Sequence, residues 1–218
     1  MNDAVPTGAG RPRRRRYDSA ATAAAILEAA YAEFAEHGFG GGRMDRIAAR
    51  AAANKRSIYQ YFQSKENLYL AVLEHAYERT RSGERAIAVD ELAPREAMVR
   101  LVELTFDGFV ADRSFIKLLN DENLHRAAHL KRSKRIAEMH SPLIAAVARI
   151  LERGAAEGAF RPGLDPLQTW ISIAAAGYFY FSNLHTLSTI FRRDFDAPAA
   201  REERRRHVVD LILSYVSA

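Results

Sequence analysis

The 218 residues contain no cysteine, which excludes a disulfide framework and any thiolate metal site and fits a reducing cytoplasm. Hydrophobic residues make up 48% of the chain, enough to pack a core, and the longest apolar run, around Trp170 to Phe181, is too short to cross a bilayer, so no membrane partner is expected. The net charge of +5 lies wholly in residues 1 to 65, which hold eleven Arg and Lys against six Asp and Glu, while the other 153 residues carry 21 of each sign; a basic head on a neutral body points to a polyanion partner for the head, or else to a chance cluster that aids solubility.

Residues 1 to 17 are rich in Gly, Pro and Arg and lack an apolar period, which predicts a disordered basic tail. Its Arg11 and Arg13 to Arg16 either track nucleic-acid phosphates, as N-terminal arms do, or are merely solvated. These arginines precede the small apolar run Ala20 to Leu27 and so imitate a secretory leader. Glu28 and Glu33 interrupt the run, however, and Ile26, Leu27, Ala30, Tyr31 and Phe34 keep the spacing of an amphipathic helix. That helix is expected over about residues 19 to 37, stopped by Gly38 and by Gly40 to Gly42.

The stretch from Arg43 to Lys65 reads as two short helices and a tight turn. Met44, Ile47, Ala48 and Ala51 fall at i, i+3, i+4 and i+7, one apolar helical face. Ala52 and Ala53 make the turn, and Asn54 caps a second helix in which Ile58, Tyr61 and Phe62 repeat the spacing. Two helices joined so closely form a helix-turn-helix, whose second helix enters the DNA major groove and meets base edges with its leading residues. Here that turn carries Lys55, Arg56 and Ser57, with Tyr59, Gln60 and Tyr61 behind, side chains able to hydrogen-bond phosphates or bases. The bland alternative is an amphipathic hairpin with a solvated basic face. Ser64 then caps a helix to about residue 82, with Leu68, Ala71, Val72 and His75 inward and Lys65 in its first turn, near enough to reach the same DNA strand.

The ordered set Ile47-Ala48, Ala51, Lys55, Ile58 to Phe62 and Ser64 to Leu68, with Ile26 to Ala30, Phe34 and His37 to Phe39 upstream, resembles the DNA-binding domain of TetR-type regulators over about residues 22 to 75. Where that family usually opens its second helix with a Thr pair, this chain has Gly42 and Arg43; where it usually has Gly in the turn, this chain has Ala52. Gly as an N-cap loses only a few tenths of a kcal/mol against Ser or Thr, and Arg43 is the candidate to replace the Thr phosphate contact. The resemblance implies a homodimer on an inverted-repeat operator, commonly as a repressor released by a small ligand.

Gly83 and the Pro94 region mark the boundary to a second domain, helical almost to its end. Helices are expected over about residues 94 to 111, 114 to 124, and 130 to 157, the last restarted or kinked at Ser141-Pro142. Asp165 caps a helix from Pro166 to about Leu187, and a final one covers Pro198 to Val216. Trp170, Ile171, Ala174, Gly177, Tyr178 and Phe181 are apolar or small over more than one face, so this helix needs more than one neighbour. The resemblance implies a dimer through the last two long helices, with Trp170, Gly177, Phe181, Leu211, Ile212 and Tyr215 in or beside the bundle; the alternative is a helix fully buried in one subunit.

Motifs for a phosphate loop, a dinucleotide fold, a nucleophile elbow or a zinc protease are absent, so no enzyme activity and no cofactor are expected. Glu122, His125 and His129, at i, i+3 and i+7, form a possible zinc set if one helix carries all three; local polarity is the alternative, and no metal is assigned. Phe106, Phe109, Asn120, Asn123, His140, Tyr178 and Phe181 fall on inward faces as polar groups among aromatics, the composition of a ligand pocket or of a self-satisfied core. A pocket of this kind suits a small, flat or aromatic effector, uncharged or weakly anionic, whose binding shifts the helix from Ser64. The sequence thus predicts an all-α chain with the tail at 1–17, a three-helix helix-turn-helix domain at 18–64 and a larger ligand-binding and dimerisation domain at 65–218. The function expected is a cytoplasmic, ligand-responsive DNA-binding regulator. Two alternatives stay open: a helical enzyme or metal-dependent sensor whose basic head is incidental, and an architectural DNA binder without a ligand.

Overall fold

The computed structural model describes residues 13 to 85 and 91 to 218, with side chains from 19 to 80 and from 91 onward. Residues 1 to 12, and with them Arg11 and most of the expected tail, lie outside the described residues, as does the linker at 86 to 90. Among the described residues there are ten α-helices and one short 3-10 turn, and no strand, only an isolated bridge between Phe160 and Ser217. The chain divides into two units, one ending at Val72 and the other running from Leu73 to Ala218.

In the first unit, α1 (Arg13–Gly41) starts earlier than the sequence suggested, because arginines and alanines favour helix and nothing before Ser19 breaks it. The stop expected at Gly38 is a kink, where φ 66° and ψ 177° put the backbone in a conformation only glycine adopts freely. α2 (Met44–Arg50), α3 (Lys55–Phe62) and the start of α4 (Lys65–Arg85) follow. Ile26, Phe34, Ile47, Ile58, Leu68, Tyr69 and Val72 are all buried to within about one per cent, so each helix gives its apolar stripe to one core. Phe34 packs edge-on to Tyr69 at 5.1 Å between ring centroids. Gly42 lies against the same Phe34 ring, which a Cβ there would approach to 2.5 Å. The N-cap of α2 is Arg43 and not Gly42, so the glycine serves packing where a capping residue was expected.

The second unit comprises the remainder of α4, then α5 (Pro94–Ala111), α6 (Arg113–Leu124), a 3-10 turn (Leu130–Arg132), α7 (Lys134–Ala156), α8 (Pro166–Ser182), α9 (Leu184–Phe191) and α10 (Pro198–Val216). Asp112, Ser133 and Asp165 cap α6, α7 and α8 by accepting from the backbone N–H three residues on, and proline opens α5, α8 and α10. The core gathers Met98, Leu101, Val147, Ile150, Phe160, Ile173, Val208, Ile212 and Val216 from α5, α7, α8, α10 and the loop after α7.

Of the kink or restart expected at Pro142 only the restart is excluded, and one further expectation is corrected. α7 runs through Pro142 without restarting. Pro142 and Glu138 both lie on the exposed side, where water can replace the missing N–H partner, while Ile136, Met139, Leu143 and Val147 stay buried on either side. The helix expected to reach Leu187 breaks at Asn183, whose side-chain amide donates to Phe179 O at 3.0 Å and to Ser182 Oγ at 2.9 Å, local bonds that compete with helix continuation.

Candidate functional site

Helix α3 is built from its cap outward. Asn54 Oδ1 accepts from the Ser57 N–H at 2.7 Å and from the Ser57 hydroxyl at 3.0 Å, so Asn54 and Ser57 fix the helix start. Lys55 Nζ lies 2.8 Å from Asp45 Oδ1, which ties the first turns of α2 and α3 together; that hydrogen bond raises the lysine pKa. Tyr61 turns back and donates its hydroxyl to Ser19 Oγ at 3.1 Å, on α1. Arg43, Arg56, Tyr59 and Gln60 have exposed side chains. Lys65 sits at the start of α4 with its ammonium 4.8 Å from the centre of the Phe39 ring. Of the nine residues expected to meet DNA, the structure therefore gives Asn54, Lys55, Ser57 and Tyr61 internal partners and places Arg56, Tyr59 and Gln60 together on the outer side of α3.

From the sequence Glu33 stood out only as a charge that interrupts an apolar run, and Arg46 and Asp45 were not singled out. Glu33 is 1% exposed, and its Oε1 accepts from the Arg43 N–H at 2.9 Å and from Arg46 Nε at 2.7 Å, so a carboxylate on α1 caps α2 from a distance. Burial acts to raise its pKa, but the Arg43 and Arg46 hydrogen bonds and the charges of Arg46 and His37 outweigh this and hold it below the ordinary value. A signal was present: Glu33 stands seven residues after Ile26 and four after Ala29, a charge on the apolar stripe that needs a partner.

The three candidate zinc ligands do not share a helix. α6 ends at Leu124, and Arg126 and Ala127 take positive φ of 55° and 56°. Glu122, 1% exposed, closes this turn: Oε1 accepts from the His129 and Leu130 N–H groups at 2.7 and 2.9 Å, and Oε2 lies 2.9 Å from His129 Nδ1. His125 Nδ1 instead faces Asp121 O at 2.8 Å. The turn explains Glu122 and His129 as structural, and among the described residues no group of three or more His, Cys, Asp and Glu is arranged to hold a metal.

Within the second unit, a cavity of about 350 Å³ opens between α4, α5, α6, α7 and α8. Phe109, Asn123, His140 and Tyr178 line it, joined by Tyr77, Thr80, Thr105, Phe115 and Trp170. Phe106 and Phe181 do not line it: they are buried against each other, with ring centroids 5.0 Å apart, and Arg113 stacks on Phe181 at 4.1 Å. Asn120 stands behind the wall and accepts from the Tyr178 hydroxyl.

The residues expected at a dimer contact also separate. Trp170, Gly177, Phe181 and Ile212 are buried within one chain, and a Cβ on Gly177 would come within 2.9 Å of Phe109. Leu211 and Tyr215 are 49% and 41% exposed, and so are Leu167, Ile171 and Phe179 at 49%, 48% and 58%. With exposed Ala175, the last three follow one another at spacings of four, an apolar stripe down the outside of α8.

A capped recognition helix behind a buried three-helix core, joined to an all-helical second unit, defines a helix-turn-helix DNA-binding protein. Residues 26–72 match the family model described as bacterial regulatory proteins, tetR family, and residues 94–212 match that of the Tetracyclin repressor-like C-terminal domain. The chain belongs to the TetR family of transcriptional regulators. It is 35% identical over 188 residues to the HTH-type transcriptional repressor NicS of Pseudomonas putida, covering 86% of this chain and 89% of that one. It is 58% identical over 57 residues to the HTH-type transcriptional repressor SCO4008 of Streptomyces coelicolor, covering 26% and 30%. Among solved structures, the Streptomyces coelicolor regulator SCO4942 aligns with a TM-score of 0.66 at 25% identity, over 89% of this chain and 98% of that one. A tetR-family protein from Rhodococcus RHA1 aligns with a TM-score of 0.70 at 22% identity, over 90% and 97%, a likeness of fold. Among the described residues no helix is long and apolar enough to cross a membrane.

Proposed function

We propose that this regulator is a cytoplasmic repressor that binds an inverted-repeat operator as a homodimer and is released by a small effector. The observation that carries the reading is α3 itself: locked at its start by Asn54 and Ser57, it presents Arg56, Tyr59 and Gln60 outward from the part of the chain that holds all the net positive charge. Two copies of α3 would read half-sites with centres about 34 Å apart or a whole number of turns more. Arg56 and Gln60 then read bases, and Lys65 and Arg43 hold phosphates. Lys55, paired with Asp45, contributes mainly by orienting α3.

The exposed stripe of α8, with Leu211 and Tyr215 of α10, supplies the dimer contact, and the 350 Å³ cavity supplies the effector site. α4 carries Lys65 near one end and the cavity residues Tyr77 and Thr80 further along, so a ligand in the cavity acts on the operator through this helix. By linkage, an effector that weakens operator binding must itself bind more weakly to the operator complex.

Gel-shift titrations on the DNA upstream of the chain's own gene test this. Lys65→Ala is expected to weaken all sequences alike and reduce the salt slope by about one, whereas Arg56→Ala changes base preference. A Lys65→Ala protein with altered sequence preference and an unchanged slope would reverse the assignment. Failure of the unmodified chain to select any duplex would remove the operator reading altogether.

A further inference from the structure

Three arginines in and beside α10 are matched by acids. Arg205 reaches Glu103 at 3.0 Å and Asp107 at 3.1 Å, Arg206 lies 3.7 Å from Glu202, and Arg193 pairs with Glu203. Arg204 differs. Its Nη2 donates to Ala176 O at 3.0 Å, but Nε is closed off from solvent and meets no acceptor. Among the described residues no carboxylate pairs with it, and burial pushes its pKa down with only the nearby Tyr180 acting against this. The guanidinium nevertheless stays charged. The chain therefore keeps a partly dehydrated cation that it does not itself neutralise, an arrangement that costs stability until a counter-ion is supplied.

Arg204 lines a cavity of about 430 Å³ between α8, α9, α10 and the loop before α10. Phe179, Tyr180, Leu187 and Phe195 make its apolar walls. Two bonds hold the central aromatic pair in place: the Tyr180 hydroxyl donates to Phe195 O at 2.6 Å, and the Phe195 N–H donates to Ser188 Oγ at 3.3 Å. Of the other charges in the wall, Arg193 and Glu203 cancel each other, and His207 can only add to the positive side. Asp196, which acts on Tyr180, is taken by Arg113 at 2.7 Å. One positive charge is left over, at Arg204. A planar guanidinium presents its N–H groups in a fork that fits two carboxylate oxygens.

From this uncompensated cation in an aromatic-walled cavity we infer that the pocket between α8, α9 and α10 is a second ligand site, which takes a small organic acid: a carboxylate for Arg204 on a flat, apolar body of one or two rings. The site is separate from the 350 Å³ cavity and stands whether or not that cavity binds the effector. Phe179 belongs both to its wall and to the exposed stripe of α8, so the competing source of a carboxylate is a second copy of the chain.

Calorimetric titration of the full chain with 2-naphthoate and with 2-naphthamide tests this, because the two share a ring system and a shape and differ in charge. The anion is expected to bind about tenfold or more tightly than the amide. Arg204→Gln should remove at least about tenfold of the naphthoate affinity, Arg204→Lys should keep part of it, and naphthamide binding should respond to neither. Asn123→Leu, in the other cavity, should change none of these values, with circular dichroism confirming the fold of each variant. Absence of saturable naphthoate binding to the parent chain, or binding that survives Arg204→Gln, overturns the site. Binding lost in Asn123→Leu instead would put the anion in the cavity between α4 and α8, so that the second site falls and the effector reading stands. If sedimentation shows a monomer for Arg204→Gln where the parent is a dimer, and naphthoate binds neither, the carboxylate comes from the second copy and the small-molecule site falls.

Discussion

Glu33 concentrates in one side chain the start of α2 and the charge of Arg46. Glu33→Gln keeps the shape and removes the charge, and should destabilise the first unit by about 1.5–3 kcal/mol, the range for hydrogen bonds to a charged group. Because its folded pKa lies below the ordinary 4.5, its contribution is fully present above that value and is lost as the pH falls through the depressed one. Urea midpoints measured from pH 7 downward should therefore converge for parent and variant in acid; parallel curves would show that the carboxylate is not the relevant group. Ala52 has φ 49°, a left-handed conformation that disfavours a Cβ. Ala52→Gly should raise stability by about 0.5–1 kcal/mol by thermal melting, the relief of strain exceeding glycine's greater chain entropy, and a loss would mean that the turn is unstrained. The Asn54 cap was legible because it depends on neighbours three residues away. The Lys55–Asp45 and Glu33–Arg46 pairs were not, because they form only when separate helices are brought together.

At the scale of the helix, periodicity located nearly every element, and the ends of α5 and α10 coincide with those read from Pro94 and Pro198. It failed where a local rule met a tertiary one: α7 passes Pro142 because burial on both sides holds the helix, and α8 ends at Asn183 because a polar side chain takes over the backbone bonds. Periodicity also marked α8 as apolar on more than one side, but not which side faces its own core. Gly177 shows the difference. Read as a contact between subunits, it would control assembly; packed against Phe109, it controls folding. Gly177→Ala should cost about 1–3 kcal/mol in urea denaturation through overpacking and leave the oligomeric state unchanged by sedimentation. A monomeric yet fully stable variant would return this glycine to the interface.

For the whole molecule, the charge distribution and the exposed stripe make separate demands. Net charge confined to residues 1–65 gives operator binding a steep salt dependence, whereas assembly through apolar side chains should depend on salt only weakly. Phe179 and Leu211 are exposed in one chain, so Phe179→Glu combined with Leu211→Glu should leave helix content intact and yield monomers in sedimentation. Dimers that persist would move the contact to another face, such as the exposed Ile190 and Phe191 of α9. Ile171 belongs to two surfaces at once: it lines the cavity, and it stands on the outer stripe beside Ala175, another lining residue. A second chain laid along that stripe would roof the cavity mouth, so occupancy and assembly become coupled equilibria. Effector titrations run at different protein concentrations should then give different midpoints, and a dilute preparation would report a weaker sensor than a concentrated one, with no change in a single residue.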